Sequence, residues 1–139
     1  MNNRHQQDAK HLHENGYNCA QAFLCTYKNE LSIDEKTLFQ FAEGLGRGVA
    51  GLEEMCCIPI IMAMIISYLE TSDANLEAPK SKLKSYACAK CLAMDFKEKI
   101  GSLKCQEILE ENKKRSDRCC TDVIQLGIKI LDECLREEN

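Results

Sequence analysis

From Met55 to Leu69 the chain is apolar almost without interruption, broken only by Pro59 and Ser67. A bilayer crossing needs about 20 such residues, so this run predicts a buried helix. Proline is tolerated in a helix only in its first turn, which sets the start close to Cys56 and Cys57. The stretch Ile58 to Leu69 is apolar nearly all round, and such a helix must be covered on every side. The rest of the chain has to supply that cover.

The rest also reads as helix, with no run showing the alternation of a strand. A first helix is predicted over Asn3 to Glu14, stopping at Gly16, and a second from the N-cap Asn18 to about Glu30. On the second, Cys19, Ala22, Phe23 and Thr26 form the apolar face, and Cys25 falls on the polar side as an exposed bystander. Ser32-x-x-Glu35 is a capping-box signal for a third helix ending at Glu43. Four of the seven glycines then fall between Gly44 and Gly51, the strongest loop signal in the chain. After the central helix, Thr71 to Lys80 reads as a loop and Ser81 to Lys99 as a fifth helix ending at Gly101. Ser102 is read as the cap of a short helix containing Cys105, and Ser116 or Asp117 as the cap of a last helix reaching about Arg136. On that last helix Cys120, Ile124, Gly127, Leu131 and Cys134 make one stripe. The expectation is an all-α, single-domain helical bundle of about five to seven helices over residues 1–139, with cysteine-bearing helix ends gathered at one side. A homodimer burying part of the central helix is a further expectation.

Net charge is −4, no dense Lys/Arg cluster occurs and Trp is absent, which argues against nucleic acid as a partner. The polar N-terminus lacks the apolar core of a secretory signal, and a cytoplasmic location is expected. Thiols stay reduced there, so the ten cysteines do not read as a structural disulfide framework.

Cys56 and Cys57 are the first candidates for reactive, catalytic thiols. A helix N-terminus carries partial positive charge and unpaired N–H donors, both of which stabilise a thiolate. Two buried small residues opening an apolar helix is the plainer alternative. Cys88 and Cys91 lie one turn apart on one face, a spacing able to chelate a metal or close a disulfide. Residue 92 is Leu, which excludes the haem-attachment pattern, and no flanking strand supports a thioredoxin-like motif. In mid-helix the pair reads as core beside Leu92 and Phe96. Cys105, Cys119 and Cys120 flank a polar turn and can converge from two helix ends, whereas Cys134 reads as core.

In their order these blocks resemble the C_GCAxxG_C_C family of small redox-active proteins. The resemblance rests on Gly16-Tyr-Asn-Cys19-Ala-Gln-Ala22, on Gly44-Leu-Gly46-Arg-Gly48-Val-Ala-Gly51 leading to Cys56, on Gly101-Ser-Leu-Lys-Cys105, and on Cys119-Cys-Thr-Asp-Val123. It implies Cys19, Cys56, Cys105 and Cys119, or its neighbour Cys120, as the redox set. One block departs. Where the family has Cys-Gly-Ala-x-x-Gly, this chain has Cys56-Cys57-Ile58-Pro59-Ile60-Ile61, and Ile61 is expected to obstruct close approach of a ligand.

Three functions follow as expectations. The first is an iron–sulfur centre, or a zinc variant of it, for electron transfer to a redox partner. Its ligands would be drawn from Cys19, Cys56, Cys105 and Cys119, with Cys57 and Cys120 as substitutes. The second is a metal-free thiol–disulfide protein with Cys56 or Cys57 as attacking thiol and Cys19, Cys105 or Cys119 resolving. The third is a non-catalytic helical binding or assembly module with core cysteines. Both redox readings require Cys56 and Cys57 to lie beside the distant cysteines, with Cys25 and Cys134 standing apart.

Overall fold

The computed structural model of the chain describes residues 3–138. The described residues form an all-α bundle: α1 (Arg4–Glu14), α2 (Cys19–Thr26), α3 (Lys28–Leu31), α4 (Glu35–Ala42), α5 (Cys57–Ile66), α6 (Lys82–Ile100), α7 (Cys105–Lys114) and α8 (Cys120–Glu138). A 3-10 turn follows α4, and a π-helical turn, Ser67–Thr71, extends α5. Among them no helix is long and apolar enough to cross a membrane.

The apolar run is the centre of the molecule. α5 packs against α2, α6 and α8, while α1 lies across α2 and α8. Ile58, Ile61, Met62, Ile65 and Ile66 are all buried, and Phe23, Phe96, Ile124, Ile128 and Leu131 close over them from the surrounding helices. Each such side chain contributes about 1.5–3 kcal/mol by leaving water. One side of α5 is left uncovered, with Met64 41% exposed and Tyr68, in the turn that extends it, 62% exposed. α8 crosses the core at Gly127, where a Cβ would stand 2.3 Å from the Cγ2 of Ile58 and 3.0 Å from the ring of Phe23.

Four local expectations are corrected. Ser32 does not cap α4; it adopts a left-handed conformation (φ 56°), and Asp34 caps instead, accepting the N–H of Thr37. The predicted second helix breaks at Tyr27 into α2 and α3. Cys25 is not exposed: it is 1% accessible, because α4 packs over that side of α2 and the Cys25 thiol faces the Glu35 carbonyl at 3.7 Å. The last helix also starts later than Ser116 or Asp117 would have it, at Cys120.

The glycine-rich segment has a definite shape. Arg47, Gly48, Val49, Ala50 and Gly51 all have positive φ, so the loop makes a left-handed turn. Three of these residues are not glycine, and left-handed backbone costs such a residue about 1–2 kcal/mol. Bonds from the N–H groups of Val49, Ala50 and Gly51 to the carbonyls of Leu45, Gly44 and Gly46 hold it. Beyond it, residues 53–56 run antiparallel to 103–106. The N–H of Cys56 reaches the Leu103 carbonyl (2.7 Å) and that of Cys105 the Glu54 carbonyl (2.6 Å). The start of α5 is thereby clamped to the start of α7. Gly48 lies against this clamp, where a Cβ would fall 2.6 Å from both Cys105 Cβ and Glu53 Cα.

Candidate thiol site

Four helices open on a cysteine: α2 on Cys19, α5 on Cys57, α7 on Cys105 and α8 on Cys120. Cys56 is the N-cap of α5. All five line one cavity of about 210 Å³. Its wall is otherwise mainly apolar, from Ile58, Ile108, Leu109, Val123 and Ile124, with His13, Asn18 and Arg47 at its polar side.

Local sequence explains each placement. Asn18 caps α2 through a reciprocal pair of bonds with Gln21 and also donates to the Glu43 carbonyl (2.9 Å), which ties Cys19 to the glycine-rich loop. Cys56 and Cys105 are set by the antiparallel clamp. Asp122 in the first turn of α8 accepts the N–H of Cys119 at 2.8 Å, fixing the start from which Cys120 faces the cavity.

The tightest contact is Cys19 Sγ to Cys57 Sγ at 3.0 Å. The two thiols hold protons very differently. Cys19 is drawn down to about 6, first by the hydrogen bond from Cys57, and further by the backbone N–H groups of Arg47, Ala20 and Cys19 itself, against the opposing effect of burial. Cys57 is pushed up, first by donating to Cys19, then by its hydrogen bond with Cys56 and by burial. At neutral pH the pair therefore shares one proton, carried by Cys57, and Cys19 is the thiolate. The thiolate character expected at Cys56 or Cys57 falls instead on Cys19. Burial raises Cys105 to about 11 and raises Cys120 as well, in each case helped by the neighbouring cysteines. All ten cysteines lie among the described residues, and none is in a disulfide.

Cys19, Cys56, Cys57, Cys105 and Cys120 are brought together, and Cys119 is not. Cys119 is exposed, its thiol 3.3 Å from the Asp122 carboxylate. Cys25 and Cys134 stand apart from the cavity, as expected, and Cys88 and Cys91 lie on α6. His11 and His13 do not share a helix face, so the sequence marks His13 only as a weak metal ligand. It borders the cavity, bonded to the Thr121 hydroxyl at 2.7 Å, and burial lowers its proton affinity. Among the described residues the His, Cys, Asp and Glu side chains form no group of three that could hold a metal ion.

The model of the family described as "Putative redox-active protein (C_GCAxxG_C_C)" matches residues 17–134. The chain belongs to this family. No curated protein and no solved structure matches it. The C_GCAxxG_C_C pattern now has a physical reading in this member. The segment that opens α5 supplies Cys57, the partner of Cys19. Ile61 does not obstruct the cavity, because it points into the core and is fully buried. The bulk of Ile58 is met by Gly127 on α8.

Proposed function

We propose that the protein is a thiol–disulfide redox protein working through Cys19 and Cys57. One observation carries the reading: two helix-opening cysteines lie 3.0 Å apart with opposite shifts in proton affinity. A thiolate attacks a disulfide sulfur, and its rate follows the fraction ionised. The Cys19 thiolate attacks one sulfur of a substrate disulfide, whose other half leaves as a thiolate and takes up a proton. Once Cys19 is capped, Cys57 no longer donates to a negative sulfur, and its proton is more easily lost. The Cys57 thiolate then attacks Cys19 Sγ and expels the second substrate thiol. The protein gains a Cys19–Cys57 bond and the substrate disulfide is reduced to two thiols. A reducing cytoplasm, able to return the pair to thiols, is the setting this chemistry suits.

The test is oxidation with a graded excess of a low-molecular-weight disulfide, followed by thiol counting and peptide mapping. Loss of the Cys19 and Cys57 thiols, with these two residues joined, is expected. Recovery of both residues fully alkylated under conditions that oxidise other dithiols would reject the reading.

A thiolate-ligated metal centre, iron–sulfur or zinc, is the second reading, favoured by Cys56, Cys105 and Cys120 on the same cavity wall. It requires these side chains to close around the ion. Anaerobic purification with metal and sulfide analysis separates the two, because only the metal reading predicts stoichiometric metal lost on replacing Cys105.

A further inference from the structure

A second cluster of thiols lies away from this cavity. Cys88, Cys91 and Cys134 line an open groove of about 520 Å³ between α6 and α8, with Leu92 and Ile130 on its walls. Cys88 and Cys134 are half-buried against the core, while Cys91 is exposed. The register of the two helices follows from one bond: Arg118, just before α8, donates to the carbonyl of Ile100 at the end of α6 (3.1 Å). The helices are therefore antiparallel here. At 1.5 Å per residue, Cys88 lies about 18 Å back along α6 from Ile100, and Cys134 about 21 Å forward along α8 from Cys120. The two thiols stand at nearly the same level on facing helices. Cys91 is one turn from Cys88 on the same face. The same 21 Å separates Cys134 from Cys120, too far for direct exchange with the cavity.

We propose that this groove is a second thiol–disulfide exchange site, taking a low-molecular-weight disulfide at Cys91 and ending in a Cys88–Cys134 bond that staples α6 to α8. The exposed Cys91 thiolate attacks one sulfur of the disulfide RSSR. A Cys91–SR bond forms, the RS–SR bond breaks, and RS⁻ leaves and takes a proton from water. The Cys88 thiolate attacks the R sulfur of this mixed disulfide, so that a Cys88–SR bond forms and Cys91 leaves as a thiolate and takes a proton. The Cys134 thiolate then attacks the Cys88 sulfur, so that the interhelical bond forms and the second RS⁻ leaves and takes a proton. Two protein thiols are oxidised and one RSSR is reduced to two RSH. No Cys88–Cys91 bond is needed on this route, and none is favoured, because residues one turn apart in a helix have Cβ atoms about 5–6 Å apart, wider than a disulfide allows.

The groove does not depend on the chemistry of Cys19 and Cys57, and the two are tested apart by residue. The full chain is treated with oxidised glutathione and sampled over time by non-reducing peptide mapping. A Cys88–Cys134 bond is expected, preceded by glutathione on Cys91. Cys91→Ser should slow formation of that bond at least tenfold without removing it. Cys88→Ser should remove it and leave glutathione on Cys91; Cys134→Ser should remove it and leave glutathione shared between Cys91 and Cys88. Circular dichroism on each variant separates these outcomes from misfolding, and the wild-type time course stands without any variant. Cys88 and Cys134 remaining unlinked in the wild-type chain while glutathione accumulates on Cys91 would overturn the proposal.

Discussion

At the scale of single residues, the site is governed by which sulfur carries a charge. Placement at helix N-termini was readable at Cys56 and Cys57, since Pro59 marks the start of α5. The division of the proton was not readable, because it arises from a through-space contact between residues 38 apart in sequence. It leads to a pH-dependent rate. With Cys19 at about 6, its alkylation by iodoacetamide should rise as pH passes that value and level off by pH 7–8. An ordinary thiol rises near 8.5. Replacing Cys57 with Ala removes the donor and should move the profile of Cys19 to higher pH. Site-resolved labelling across pH 5–9 measures both, and a Cys19 profile centred near 8.5 in the wild type would remove the thiolate from the mechanism. Cys25 shows the opposite limit of the sequence. Its neighbours Gln21, Lys28 and Asn29 mark a polar face, yet Gln21 is itself buried, donating to the Phe39 carbonyl. Side-chain polarity did not reveal that α4 covers that face.

At the scale of elements, caps and breakers were legible where the residue that ends a helix is also chemically distinctive. Gly16 and Gly101 have positive φ after α1 and α6, and Asn18 makes the capping box of α2. Ser32 misled because Asp34, two residues on, offers the stronger acceptor at the same helix start. The glycine cluster announced a loop but not its left-handed course, which passes through Arg47, Val49 and Ala50. The crossing of α8 over α5 was also hidden, since a glycine in a helical stripe shows no partner. Gly127→Ala should gain about 1 kcal/mol of helix propensity and lose more to overpacking against Ile58, for a net loss of roughly 1–2 kcal/mol. In an Ile58→Ala background the same change should be neutral or stabilising. Urea melts of the four proteins give the coupling directly; equal effects in both backgrounds would mean that Ile58 is not what Gly127 accommodates.

At the scale of the whole molecule, the class of fold and the gathering of cysteine-bearing helix ends were both legible, since an all-round apolar helix forces others to surround it. The tie between the two chain ends was not. His5 on α1 donates from Nδ1 to Asp132 on α8 and from Nε2 to Glu30 on α3, while the Tyr27 hydroxyl donates to the same aspartate. Bonding to Asp132 raises the proton affinity of His5 above its ordinary value, against the effect of burial. A raised histidine stabilises the fold fully below its unfolded value of about 6.5, and that stabilisation fades as pH rises through the folded value. His5→Gln should therefore cost more stability at pH 6 than at pH 9. Paired denaturation curves at the two pH values check this, and an equal cost at both would show that the imidazolium has no part in the tie.

The sequence distance between Cys19 and Cys57 has a consequence for the lifetime of the protein. A bond between them would close a loop holding α2 to α4 and the whole left-handed turn. On the chain-entropy account, a cross-link over 38 residues disfavours the unfolded ensemble by about 4 kcal/mol. The thiol form would then open far more often than the bridged form, and proteases that act on opened chains would clear it first. The lifetime of the chain would then follow the redox state of that one pair.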